Sequence, residues 1–85
     1  VAERHVTVTS EVGLHARPAA TFVQAATKAS LDVTIAKGAG SPVNAKSILS
    51  VLALDVRRGD VVVIRAEGEG AEELLDRLAG IASAP

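Results

Sequence analysis

Gly13-Leu14-His15-Ala16-Arg17-Pro18-Ala19-Ala20 is the stretch on which the fold turns. Before it, Val6 to Thr9 alternates Val with Thr, the period of a half-buried strand. After it, Ala19, Phe22, Val23 and Ala26 recur at helical spacing. The stretch is therefore a strand-to-helix junction. Gly13 permits a sharp turn there. Pro18 is tolerated only in the first helical turn, where amides have no intrahelical partner, so the helix begins at about His15 or Ala16.

A histidine at a helix start sits where free amides and the positive dipole end favour an anion and disfavour an imidazolium. Its neutral ring is a nucleophile. Once phosphorylated it would carry roughly two negative charges, as other phosphorylated side chains do. The amides of Ala16 and Arg17 and the Arg17 guanidinium are suitable donors for those oxygens. His15 thus reads as a phosphorylatable histidine. His-x-Arg-Pro by itself reads equally well as a surface histidine that merely caps a helix.

The octapeptide resembles the active-site signature of the HPr family, the histidine phosphocarriers of the bacterial sugar phosphotransferase system. A second signature of that family, Asn44-Ala45-Lys46-Ser47-Ile48-Leu49, follows about thirty residues on, and the resemblance runs from about Val6 to Leu78. It implies that a phosphoryl group passes from phosphoenolpyruvate through enzyme I to the pros nitrogen of His15. From there it passes to enzyme IIA components, with Arg17 positioning and partly neutralising it. It further implies an α+β fold, an open-faced β-sandwich of order βαββαβα, with three helices on one face of a four-stranded antiparallel sheet. In some HPr proteins a kinase modifies the serine matching Ser47, which makes Ser47 a candidate regulatory site and such a kinase a candidate partner. Two features depart from the family pattern. Asp55 stands where a glycine is usual, and the turn Lys37 to Pro42 is one residue longer.

Composition narrows the classes. The 85 residues form one small domain, 1–85, whose core must be aliphatic: 48% of residues are hydrophobic, Phe22 is the sole aromatic, and cysteine is absent. A net charge of -1 supplies no basic field for nucleic acid and no polybasic membrane signal. Apolar runs are too short to span a bilayer and no signal-peptide pattern opens the chain, so a cytoplasmic monomer is expected. Two histidines cannot build a metal cluster, and no cofactor is expected. His5 reads as a surface residue.

Along the chain, a strand is expected over Glu3 to Thr9 and a helix over Ala16 to Lys28. A second strand alternates Leu31, Val33 and Ile35, and a short third spans Val43 to Ala45. A helix over Lys46 to Ala53 follows, with Ser47 as its N-cap. Arg57 to Asp60 is a turn, and Val61 to Ile64 reads as a strand enclosed within the sheet. The last helix runs from Ala71 to Ala82, with Glu72 and Glu73 at its positive end. Gly80 weakens its last turn, and the tail Ser83-Ala84-Pro85 is expected to be loose.

The segment after Ser47 is apolar on too many sides for one core. Ile48 and Val51 are expected to pack inward, leaving Leu49 and Leu52 exposed for docking. Arg17, Ala20, Thr21 and Gln24 form a small, polar stripe suited to a partner's approach. RNA binding on the sheet would need aromatic platforms and basic charge that are missing. A hydrolase using His15 as base would need a cleft, a nucleophile and an orienting carboxylate. The remaining alternative is the nitrogen-system paralogue of the family, with the same chemistry and a regulatory role.

Overall fold

The computed structural model describes residues 2–84. Its elements are β1 (Ala2–Thr7), α1 (Ala16–Lys28), β2 (Val33–Lys37), β3 (Val43–Asn44), α2 (Ile48–Ala53), β4 (Val61–Ala66) and α3 (Ala71–Ala82). The strands form one antiparallel sheet in the order β1-β4-β2-β3, an α+β arrangement with the expected βαββαβα succession.

Register follows from which side chains must be buried. Val6 pairs with Val62, Ile35 with Ile64 and Val33 with Ala66, so one face of the sheet is an aliphatic layer with Arg4 on its edge strand. On it lie Phe22 and Ala26 from α1, Val51 from α2, and Leu75 and Leu78 from α3. Each fully buried Leu, Ile or Phe contributes about 1.5–3 kcal/mol relative to exposure, which is how so short a chain stabilises a fold without cross-links.

The apolar run of β4 is less enclosed than its composition predicts. The strand lies between β1 and β2, but its burial alternates: Val62, Ile64 and Ala66 are buried, Val63 is half-buried, and Val61 is exposed. In an antiparallel sheet only the helix-covered face needs to be apolar. The other face is open and carries Arg65, His5 and Glu3, with the Glu3 carboxylate 2.6 Å from His5 Nε2 and 2.5 Å from Arg65 Nε. On the covered face Arg4 reaches α3, pairing with Glu72 and with Asp76 at 3.1 Å.

Several boundaries shift by one or two residues. Lys37 belongs to β2, and β3 ends at Asn44 with Ala45 buried beyond it. α2 starts at Ile48 because Asn44 to Ser47 form a turn: the Asn44 side chain accepts from the Lys46 amide at 2.9 Å. The tail is held further than expected, since Ser83 Oγ donates to the Ala79 carbonyl at 2.8 Å and the Thr9 hydroxyl donates to the Ser83 carbonyl. Pro85 lies outside the described residues.

Candidate functional site

His15 is the N-cap of α1, in extended conformation at φ -130° and ψ 169°, and its side chain caps no amide. The ring is therefore free for other chemistry, and it is 36% exposed. Ala16, the next residue, has φ 52°, a left-handed angle that costs a non-glycine about 1–2 kcal/mol. The His15 carbonyl accepts the first helical bond, from Ala19 at 3.4 Å. Ala16 and Arg17 lie ahead of that bond and their amides have no backbone partner among the described residues. The Arg17 side chain is exposed and makes no ion pair among the described residues.

The floor of the site comes from forty residues away. The amide of Leu14 donates to the Val56 carbonyl at 3.0 Å, joining the loop before α1 to the loop after α2. This brings Asp55 to His15, with Oδ1 3.3 Å from Nε2. Asp55 adopts φ 51°, the left-handed region where a glycine is otherwise favoured and Asp is among the better tolerated residues. Its other oxygen lies 3.0 Å from Arg57 Nη2, and its carbonyl accepts from Lys37 Nζ at 3.0 Å. Asp60 completes the network, accepting from the Arg57 amide at 2.9 Å and lying 3.4 Å from Lys37 Nζ. The Arg57 guanidinium, above all, holds the Asp55 carboxyl below its ordinary value, with smaller help from Lys37 and His15. The Arg57 amide does the same for Asp60.

Ser47 is the N-cap of α2, its Oγ accepting from the Ser50 amide at 3.3 Å. Lys46 Nζ donates to the Ala29 carbonyl at 2.8 Å, tying the start of α2 to the end of α1. Asn44 forms the turn and Ala45 fills the core, so the Asn-Ala-Lys-Ser run has an architectural account residue by residue.

The apolar surface differs from expectation. Leu49 is 77% exposed, as the pattern required. Ile48 does not pack inward; it is 38% exposed. Leu52 is half-buried against the core instead of free. A helix of six residues (Ile48–Ala53) turns only one side to the core, and the side taken carries Val51 and Leu52, with Leu54 packing just beyond the helix end. On α1, Thr21 and Gln24 are exposed and Ala20 is half-buried. Sequence reasoning passed over Val12, which is 55% exposed just before Gly13, and did not foresee the Asp55 contact with His15. A non-glycine at a turn where glycine is usual was the available signal for the second.

A family model described as the PTS HPr component phosphorylation site matches residues 2–84. The phosphocarrier protein HPr of Streptomyces coelicolor is 54% identical over 79 residues, covering 93% of this chain and 85% of the relative. The HPr-like protein Crh of Bacillus subtilis is 44% identical over 77 residues, covering 91% and 89%. The crystal structure of a phosphocarrier protein HPr from Bacillus anthracis superimposes with a TM-score of 0.90 at 41% identity, covering 96% of each chain. With a matching sequence model, a matching fold and relatives aligned along nearly their whole length, this chain belongs to the HPr family of phosphotransferase-system phosphocarriers.

Proposed function

We propose that the protein carries a phosphoryl group on His15, taking it from phosphorylated enzyme I and handing it to enzyme IIA components for sugar uptake. The observation that carries this reading is the state of the His15 ring: at a helix start, half-exposed, and not spent on capping. The Nδ1 (pros) lone pair attacks the donor's phosphorus. The bond from phosphorus to the donor breaks, and its electron pair stays with the donor. The same steps in reverse deliver the group to the acceptor.

Arg17 and the amides of Ala16 and Arg17 supply positive potential to the phosphoryl oxygens. An open helix end stabilises the group modestly, which suits a carrier that must release it. The protein turns over no substrate of its own in this reading and acts as a cytoplasmic monomer. Leu49 and the exposed stripe of α1 form the surface presented in turn to donor and acceptor. Among the described residues no helix is long and apolar enough to cross a membrane.

The test is incubation with enzyme I and phosphoenolpyruvate, followed by mass spectrometry. One added acid-labile phosphoryl group is expected on the wild type and none on His15→Ala. Arg17→Ala should be modified about tenfold more slowly or worse, since charge-assisted hydrogen bonds contribute about 1.5–3 kcal/mol. Persistent acid-labile phosphate on His15→Ala would overturn the assignment. Transfer to a sugar-system rather than a nitrogen-system enzyme IIA separates the two branches of the family.

A further inference from the structure

We propose that Asp55 is a positioning residue for phosphoryl transfer: its carboxylate keeps a proton on Nε2 of His15, so that Nδ1 presents the lone pair. The inference rests on the phosphocarrier reading above and adds a residue to it. Its basis is the 3.3 Å separation between Asp55 Oδ1 and His15 Nε2, held from both sides of the loop. Arg57 binds the second carboxylate oxygen at 3.0 Å, and Lys37 binds the Asp55 carbonyl at 3.0 Å, so the carboxylate is tethered where it stands.

The electrostatics favour one tautomer. A proton on Nε2 is attracted by a carboxylate 3.3 Å away, whereas a lone pair there is repelled by it. The neutral ring therefore carries its proton on Nε2 and its nucleophilic pair on Nδ1. When Nδ1 bonds to phosphorus, the donor's bond to phosphorus breaks and its electron pair leaves with the donor. The ring keeps the Nε2 proton and becomes cationic, and the Asp55 carboxylate offsets that charge. Transfer to an acceptor returns the pair to Nδ1 with the Nε2 proton still in place.

Conformation points the same way. Asp55 occupies φ 51°, where a glycine would be at ease. A side chain kept in that region and aimed at the candidate nucleophile has a local use.

Two variants test the proposal. Asp55→Asn removes the charge and suits the left-handed angle. Asp55→Gly removes the side chain and relieves the backbone. Neither disturbs the bond from Lys37, which goes to the backbone carbonyl. Nitrogen chemical shifts of the unphosphorylated His15 ring, recorded well above the imidazole titration range, report the tautomer directly. The wild type should be almost wholly protonated on Nε2, with a measurable share moving to Nδ1 in Asp55→Gly. Enzyme I-dependent phosphorylation should slow about fivefold in Asp55→Asn and further in Asp55→Gly, with both variants folded at the assay temperature. Unchanged tautomer or unchanged rate in both variants would overturn the positioning role while leaving the carrier reading intact. A wild type that accepts no phosphoryl group would overturn both.

Discussion

Gly13 is pressed against Val56: a Cβ built on Gly13 would lie 2.2 Å from the Val56 carbonyl oxygen and 2.8 Å from the Arg57 Cα. Gly13 also has φ 69°, an angle other residues seldom adopt. Both constraints apply at the point where the His15 loop meets the Asp55 loop.

Gly13→Ala should accordingly destabilise the fold by about 3 kcal/mol, combining backbone overlap with left-handed strain. Denaturant unfolding measures this directly. Because the loops must part to admit the methyl group, phosphorylation should slow even where the variant is fully folded. A variant as stable as wild type would mean the loops can separate freely.

Leu49 and Leu52 give opposite outcomes on the same helix. Leu49→Asp should leave the melting temperature near wild type and weaken binding to enzyme I, because an anchor 77% exposed contributes little to the core. Leu52→Asp should destabilise the fold, since Leu52 packs against the core and truncating a buried Leu to Ala already costs about 2–5 kcal/mol. Thermal melts beside a binding titration separate the two. A large loss of stability in Leu49→Asp would remove it from the docking surface.

Ser47→Ala should cost about 1 kcal/mol through loss of the cap to the Ser50 amide. Ser47→Asp keeps a capping oxygen and adds charge where the helix dipole welcomes it, so its melting temperature should stay near wild type. It also places a negative charge next to Ile48 and Leu49, where a partner must desolvate it. Phosphorylation of His15 should then slow at low protein concentration. Equal rates would reduce Ser47 to a cap.

Among the described residues, three half-buried or exposed carboxylates are held below their ordinary values, and acid removes what they contribute. For Glu3 the hydrogen bond with His5 is the main cause, followed by Arg65; for Asp55 it is Arg57, and for Asp60 the Arg57 amide. Each binds a proton less readily when folded than when unfolded. Their stabilisation is therefore complete above the unfolded carboxylate range of about pH 4 and is lost as pH falls through the lower folded values. Melting temperature should be flat from about pH 7 to 5 and decline below about pH 4, less steeply in Asp60→Asn. A decline beginning near neutrality would implicate other groups.

Local chemistry determined a large share of this protein. The Val-Thr alternation, the helical spacing from Ala19 to Ala26, Pro18 in the first turn and Ser47 before an apolar run are decided within a few residues of chain, and the elements follow them closely. The octapeptide likewise placed His15 at a helix start. Tertiary structure decided what periodicity cannot carry. Ile48 and Leu52 are both apolar, and only the docking of α2 on the core selects which one is covered. The open face of β4 depends on helices lying on one side of the sheet alone, a fact absent from the run Val61 to Ile64. The meeting of Asp55 with His15 requires two loops forty residues apart to be stitched at Leu14 and Val56. Sequence spacing encodes neighbours along the chain; contacts between loops exist only once the core has brought them together.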